Sequence, residues 1–260
     1  MKARTIETRR GIRCRVFEAG GGPPLVFFHG AGGLLRENPF LEELARRHHV
    51  LAPEWPAYGE STGEELLEDM LDFALHGWDV VEALGLSRPH LLGHSMGGMI
   101  AAEMACLAPH DLGRLVLASP AGLWLDEHPI PDMFAALPFE IPGLLFADPG
   151  QGAALLTGGL DLNDMEALKE FYIGNARRLG MAGKILFPIP NRRLSKRLYR
   201  LTAPTLVLWG AEDRLIPPVY ARRWAELVPS AAIEILPQAG HMLPYERPEA
   251  FAEAVGRFLS

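Results

Sequence analysis

Four short apolar runs, each closed by glycine or a small residue, constrain this chain more than any other feature. They are "PPLVFFHG" (23–30), "PHLLGHS" (89–95), "GRLVLASPAG" (113–122) and "PTLVLWG" (204–210). None alternates polar with apolar residues, so each suits a strand covered on both faces. Helical periodicity lies between them: "FLEELARRH" (40–48), "EELLEDMLDFALHGWDVVEAL" (64–84) and "MGGMIAAEMACLAP" (96–109). Ser61 or Thr62 is the expected cap of the second of these. Strands alternating with helices imply an α/β fold, a mostly parallel central sheet with helices on both faces.

Two alternating segments, near 4–9 and 12–18 and joined by "RRG", precede this pattern as a hairpin-like pair, and "HVLAPEW" (49–55) adds a short strand. Residues 123–200 break the rhythm, with prolines at 129, 131, 138, 142, 149, 188 and 190 around helical patches such as "LNDMEALKEFYIGNARRLG" (162–180). This stretch reads as an inserted helical cap on a core made of 1–122 and 201–260. After it come a helix at 217–229, a strand at 231–237 and a closing helix at 248–259.

Composition removes several classes of function. The 260 residues are 48% hydrophobic, enough for a large buried core, and the net charge of −7 argues against a nucleic-acid partner. The most basic stretch, "NRRLSKRLYR" (191–200), is interleaved by Leu194, Leu198 and then Leu201, as on an amphipathic helix. Two cysteines, Cys14 and Cys106, provide no disulfide framework, and no Cys/His cluster has metal-ligand spacing. No apolar window has the length of a signal-peptide core or a membrane span, so a cytoplasmic protein with no membrane association is expected, as a monomer or homodimer.

The chemistry is concentrated at "GHSMG" (93–97). A serine hydroxyl is a poor nucleophile without a base, and a protein exposes it on a tight strand-to-helix turn. Glycines two residues before and after, Gly93 and Gly97, remove the Cβ atoms that would collide there. A helix starting after Ser95 aims free N–H groups and its positive dipole end at the reaction centre.

Nine histidines compete for the role of base. His90 and His94 are too near Ser95 along the chain to turn back on it. His48, His49, His76 and His110 accompany helices, His29 belongs to an "HG" turn with a side-chain-to-backbone role, and His128 lies in the insertion, where it lines a pocket at most. His241 stands after Gly240 on a loop between the last strand and the closing helix, a place from which it can reach the serine. The orienting carboxylate is expected just past the strand at 204–210, where Glu212 and Asp213 follow Gly210, and Asp213 is preferred.

With "FFHGAGG" (27–33), "PAYGES" (56–61), "GHSMGG" (93–98), "WGAEDRLIPP" (209–218) and "AGHMLPYERPEAF" (239–251), the chain resembles the α/β-hydrolase family, in its branch of serine esterases, haloperoxidases and C–C hydrolases. The order Ser95, Asp213, His241 is the family's order. The resemblance implies Ser95 as nucleophile, His241 as base and Asp213 as orienter. It implies an oxyanion hole from the backbone N–H of Met96 and that of Ala31, with Gly32 as the alternative. It also implies a small-molecule substrate and no cofactor or metal. Relatives commonly show D-x-P-G-x-G-x-S where this chain has "PEWPAYGES", with Glu54 for the aspartate and Ala57 for the first glycine; Gly59 and Ser61 are expected to preserve the turn. Serine at the elbow excludes the epoxide hydrolases and haloalkane dehalogenases of this fold, which use aspartate there.

The expected activity is hydrolysis of a carboxylic ester, lactone or thioester of a small, largely apolar substrate. Gly32, His94, Leu123, Trp124, Phe134, Phe139, Leu144, Phe146 and Met242 are the candidates for the pocket wall. C–C bond hydrolysis of a vinylogous diketone is the alternative. That branch resembles this chain around "SMGG", but it carries tryptophan where Met242 follows His241, and it uses a cap arginine, for which Arg177, Arg178, Arg192 and Arg193 are open choices. A receptor that keeps the same side chains without turnover is a reading from a different class.

Overall fold

The computed structural model describes residues 1–161 and 163–260, so the first residue of the helical patch at 162–180 lies outside the described residues. Eight strands form one sheet: β1 (Lys2–Glu7), β2 (Arg13–Ala19), β3 (Pro24–Phe28), β4 (His49–Pro53), β5 (His90–His94), β6 (Leu115–Ala118), β7 (Thr205–Gly210) and β8 (Ala231–Leu236). Their order across the sheet is β1-β2-β4-β3-β5-β6-β7-β8. β1–β2 and β2–β4 pair antiparallel; every later pair is parallel, from Leu25 opposite His90 to Leu208 opposite Glu234. The mostly parallel α/β sheet expected from the four apolar runs is the one observed.

The uninterrupted apolar runs are explained by two cores. Leu25 and Phe27 of β3 face one side of the sheet, with Leu92, Val116 and Leu208, against α1 (Pro39–Leu44) and α9 (Pro248–Leu259). Val26 and Phe28 face the other, with Leu91, Leu117 and Trp209, against α2 (Met70–Ala83), α3 (Met96–Leu107) and α7 (Val219–Leu227). Successive strand residues point to opposite faces, so a strand covered twice has to be apolar at every position. Each such Leu or Phe contributes roughly 1.5–3 kcal/mol by its burial.

Two helix assignments differ from the sequence reading. Residues 64–84 are not one helix: a 3₁₀ turn (Glu64–Leu66) is followed by extended Leu67, and α2 begins at Met70. Its cap is Asp69, which accepts from Leu71 and Asp72 N–H at 2.9 and 3.1 Å, rather than Ser61 or Thr62. Tertiary donors take the carbonyls that a continuous helix would use: Arg10 bonds Leu66 O, and Lys184 bonds Glu64 O and Leu67 O. Residues 191–200 form two 3₁₀ turns (Leu194–Lys196 and Leu198–Arg200), because Arg193 lies at φ 58° and interrupts the helix. Leu194, Leu198 and Leu201 are nonetheless buried, so their spacing marks an inward face without a helix.

Between β6 and β7 the chain adds no strand among the described residues. It forms α4 (Ile141–Leu145), α5 (Pro149–Thr157) and the long α6 (Met165–Leu186). α8 (Leu243–Glu246) is a single turn before α9.

The turn at 93–97 is tight for an identifiable reason. Ser95 sits at φ 54°, ψ −115°, a region non-glycine residues rarely occupy. A Cβ on Gly93 would lie 2.4 Å from Gly97 O, and one on Gly97 would lie 2.1 Å from Phe28 O. Both obstacles are backbone and cannot rotate away. Gly97→Ala is therefore expected to destabilise the fold by roughly 3 kcal/mol. Gly174→Ala, on α6 with nothing near its Cβ position, is expected to stabilise it by roughly 0.5–1 kcal/mol. Denaturant midpoints of the two variants check the contrast; a Gly97→Ala chain as stable as the parent would contradict the tight-turn reading.

Candidate active site

Each of the three side chains in question stands at the carboxyl end of a strand, where open parallel sheets place their sites. Ser95 follows β5, Asp213 follows β7, and His241 follows β8 on the loop before α8. The sheet order brings the first two strands within two positions of one another, and the β8 loop folds back over β7. A Cβ on Gly210 would lie 2.1 Å from Gly240 O, so glycine at the end of β7 allows that approach.

Ser95 Oγ lies 2.8 Å from His241 Nε2, and His241 Nδ1 lies 2.8 Å from Asp213 Oδ2. All three residues are at most 8% exposed. A carboxylate only accepts, so Nδ1 carries the hydrogen and Nε2 is free to accept from the serine hydroxyl. Asp213 Oδ1 is occupied separately, taking the Leu215 and Ile216 N–H groups at 3.0 and 2.8 Å. The carboxylate is fully engaged and its ring partner is held in one tautomer. The arrangement supplies what a hydroxyl nucleophile needs: an acceptor for its proton, and a fixed negative charge for the imidazolium that results.

Around this line the backbone is clamped by contacts that the sequence reading did not assign. Glu246 accepts from Gly240 N–H at 2.8 Å and from Ala147 N–H at 2.7 Å, tying the His241 loop to the chain after α4. Burial raises the Glu246 carboxyl above the usual range, opposed by these two N–H bonds. Glu212, the rejected orienter, does not touch His241: its carboxylate accepts from Ala239 N–H at 2.9 Å and holds the same loop. Met242 N–H donates to Leu145 O at 3.0 Å. No local pattern marks these bonds, because each joins segments distant in sequence or depends on how the loop closes.

The 30–33 turn is held by its carbonyls. His29 Nδ1 lies 2.8 Å from Gly30 O, and His29 Nε2 accepts from Trp55 N–H at 3.2 Å, which fixes the Nδ1–H tautomer. Burial pushes the His29 ring down to about 4, so it stays neutral near pH 7. Gly33 N–H also donates to Gly30 O, at 3.0 Å. In a trans peptide the C=O and the next N–H point oppositely, so anchoring Gly30 O sets the direction of the Ala31 N–H. Met96 is the first residue of α3, and its N–H has no intrahelical partner. The side-chain-to-backbone role expected of His29 is thus present. The "PEWPAYGES" turn also holds: Ala57 takes φ 71° where relatives have glycine, and Glu54 pairs with Arg15 at 2.7 Å.

The pocket candidates fare unevenly. A cavity of about 40 Å³ touches Ser95 and is walled by Ala121, Ile130, Met133, Phe134, Leu186, Leu215 and Ile216. Phe134 is the one proposed wall residue that borders it. Phe139 is 77% exposed, since α4 begins after it and leaves it outside. Phe146 is turned into the core beside Gly152, Leu123 and Met242 are buried in the two cores, and Leu144 is half-buried away from the cavity. Trp124 is half-buried, its indole N–H given to Asp126 at 2.9 Å. Gly32 is exposed on its turn, and His128 is exposed, offering only its carbonyl to Tyr220. His94 lies beneath the site: its Nε2–H donates to His241 O at 2.8 Å, and burial, with His241 close by, pushes it down to about 3. A larger cleft of about 490 Å³ lies apart from these residues, between α2 and the 184–197 stretch. Most of its charged side chains are already engaged: Arg197 with Glu103, Lys184 with backbone carbonyls, Arg192 with Phe187 O and Asp69 with the start of α2.

No helix among the described residues is long and apolar enough to cross a membrane, and no group of three or more His, Cys, Asp or Glu among them is placed to hold a metal.

Comparison with known proteins gives the family to which this fold belongs. The chain is 33% identical over 258 residues to the dihydrolipoyllysine-residue acetyltransferase component of the acetoin cleaving system of Pseudomonas putida, with 96% of this chain and 67% of that protein aligned. It is 28% identical to 2-hydroxy-6-oxo-6-phenylhexa-2,4-dienoate hydrolase of Burkholderia cepacia, over 96% of this chain and 92% of that one. The crystal structure of a membrane phospholipase A superposes with a TM-score of 0.82 at 23% identity, covering 99% of this chain and 85% of the other, a likeness of fold. The model of the alpha/beta hydrolase family matches residues 25–254. With that match across nearly the whole chain, and strand ends that carry the side chains described, the protein belongs to the alpha/beta hydrolase family.

Proposed function

We propose that the protein is a serine hydrolase that cleaves a carboxylic ester, lactone or thioester of a small, largely apolar substrate through an acyl-enzyme. The observation that carries this reading is the unbroken line from Ser95 Oγ through the His241 ring to Asp213, with 2.8 Å at each step. In this mechanism Ser95 Oγ attacks the substrate carbonyl carbon as its proton passes to His241 Nε2. The negative charge moves to the carbonyl oxygen, which faces the Ala31 and Met96 N–H groups. The C–O or C–S bond then breaks, and His241 gives its proton to the leaving oxygen or sulfur. Water, deprotonated by the same nitrogen, attacks the acyl-serine, and the acid leaves with Ser95 restored.

The 123–200 segment acts as the cap in this reading. Ile130, Met133 and Phe134 on one side and Leu186, Pro188 and Pro190 on the other close an apolar space over Ser95. The space these two stretches leave beside Ser95 is about 40 Å³, room for little more than one water. Pre-steady-state kinetics with p-nitrophenyl esters of increasing acyl length, beside a lactone, a thioester and a vinylogous diketone, test the proposal. Steady turnover of an ester, lactone or thioester supports it. A single burst without turnover would favour a receptor, and turnover of the diketone alone would favour C–C hydrolysis.

One observation favours keeping C–C hydrolysis as a second reading. Of the four arginines open in the sequence, Arg177 pairs with Glu64 at 2.8 Å, Arg192 donates to Phe187 O at 2.7 Å, and Arg193 is exposed. Arg178 alone holds a buried polar atom, Nε, with no partner among the described residues, and its Cδ lies 3.5 Å from the Cβ position of Gly33 on the oxyanion turn. A carboxylate on the substrate, such as the name of the dienoate hydrolase relative implies for that protein, would supply the partner. Arg178→Gln is accordingly expected to raise KM about 10-fold for a substrate with a carboxylate near the scissile bond, and less than about 2-fold for a neutral ester. Equal effects on both substrates would remove this reading.

A further inference from the structure

The Tyr58 hydroxyl stands between the 30–33 turn and α6. It lies 2.9 Å from Ala31 O on the oxyanion turn and 3.2 Å from Arg178 O on α6. Tyr58 is 1% exposed, and its ring packs on His29 at 4.6 Å between centroids. Burial raises the phenol above its ordinary range, so the oxygen keeps its hydrogen and acts as a donor. Both neighbours are carbonyls, which only accept, and there is one hydrogen for the two of them.

We propose that Tyr58 is a positioning residue for the oxyanion hole, holding the Ala31 carbonyl and tying the turn to α6. This inference rests on the hydrolase reading above. The peptide geometry carries it. His29 and the Gly33 N–H anchor Gly30 O and thereby orient the Gly30–Ala31 peptide. That pair closes the 30–33 turn but leaves its central peptide, Ala31–Gly32, which contains Ala31 O, free to flip. The Tyr58 hydroxyl holds it. With both peptides held, φ and ψ of Ala31 are set, and the N–H groups of Ala31 and Gly32 have fixed directions. Without the hydroxyl, Gly30 O still holds the Ala31 N–H, but the Ala31–Gly32 peptide is free to flip and to turn the Gly32 N–H, the alternative donor of this turn, away from the developing charge. A preorganised donor stabilises that charge because it does not have to reorient as the charge forms.

The ring and the hydroxyl have separable tasks. A Cβ on Gly33 would lie 3.0 Å from Tyr58 Cδ1, so the ring fills the space under the turn, while only the oxygen reaches the carbonyls. Tyr58→Phe keeps the packing and removes the bond; Tyr58→Leu removes both.

The test compares the parent chain with Tyr58→Phe and Tyr58→Leu, using a p-nitrophenyl ester, phenylboronic acid and thermal unfolding. Boron accepts the Ser95 oxygen and becomes a tetrahedral anion in place of the reaction intermediate. The expected result for Tyr58→Phe is a kcat about 10-fold lower and boronic acid binding weakened by a similar factor. KM should stay within about 2-fold and the melting midpoint within a few degrees. Tyr58→Leu should lose melting temperature as well. An unchanged kcat, a loss carried mainly by KM, or boronic acid binding equal to that of the parent would overturn the proposal. A Tyr58→Phe chain that failed to fold would overturn it too, since the hydroxyl would then be a structural group. If the parent itself neither turned over ester nor bound the boronic acid, the hydrolase reading would fail and this proposal with it. A parent active in both assays with an indifferent Tyr58→Phe would sink the proposal alone.

Discussion

Replacing Ser95 by alanine is expected to lower ester turnover by about 10⁵- to 10⁶-fold while leaving the fold in place. The size follows from what is lost. Oγ is the only nucleophilic atom within hydrogen-bond distance of His241 Nε2 among the described residues, and no second hydroxyl is placed to take over. The remaining rate would come from water attacking the bound ester without a serine nucleophile. The fold should survive because the strained turn at 93–97 depends on its glycines and on backbone bonds, Ser95 N–H to Ala118 O at 2.9 Å and Ala121 N–H to Ser95 O at 3.1 Å, none of which uses the hydroxyl. Alanine does keep the unfavourable φ of 54°, so a small shift in stability is tolerated by this expectation. Turnover measured on folded variant, with circular dichroism and a melting curve on the same sample, decides it. A variant working at the parental rate would mean that another group does the chemistry.

Asp213→Asn is expected to cost about 10⁴-fold in kcat, and Glu212→Gln less than about 10-fold. The hydrogen bonds explain the difference. Asp213 Oδ1 takes two backbone N–H groups, from Leu215 and Ile216, so an asparagine there must keep its oxygen on that side. Its NH₂ then faces His241 Nδ1, which has to accept rather than donate. The ring is driven into the opposite tautomer, with the hydrogen on Nε2, and can no longer receive the serine proton. Glutamine at 212 has no such conflict, because its amide oxygen can still accept from Ala239 N–H. Steady-state kinetics on both variants with one ester checks this. Equal losses would leave Asp213 without a distinct part.

What the sequence revealed and what it concealed divide along physical lines. The central strands were readable because burial on both faces demands apolar residues throughout, and Leu25 to Phe28 or Leu115 to Ala118 admit no other reading. The serine turn was readable because a backbone approach near 2 Å permits only glycine at 93 and 97. Asp213 stands shortly past Gly210, the last residue of β7, and His241 directly follows Gly240 on the loop after β8, which are also local marks. The start of α2 was misplaced because Arg10 and Lys184, both remote in sequence, capture the carbonyls at 64–67. The pocket wall was misread for a related reason. Apolar residues in the 123–200 segment are divided between core, surface and cavity by the fold of that segment, and Phe134, Phe139 and Phe146 look alike until it forms. The contacts of Tyr58 and Glu246 carry no local signature, because each acts on a backbone atom of a segment that the chain reaches only in three dimensions.

The central claim is that Ser95 becomes a nucleophile by passing its proton to His241. Incubating the protein with a fluorophosphonate, then measuring the labelling rate and the mass of each peptide, tests it most directly. The expected outcome is a single adduct on the peptide containing Ser95, formed at least about 100-fold more slowly in His241→Ala. An adduct on another peptide, or a His241→Ala chain labelled as fast as its parent, would contradict it.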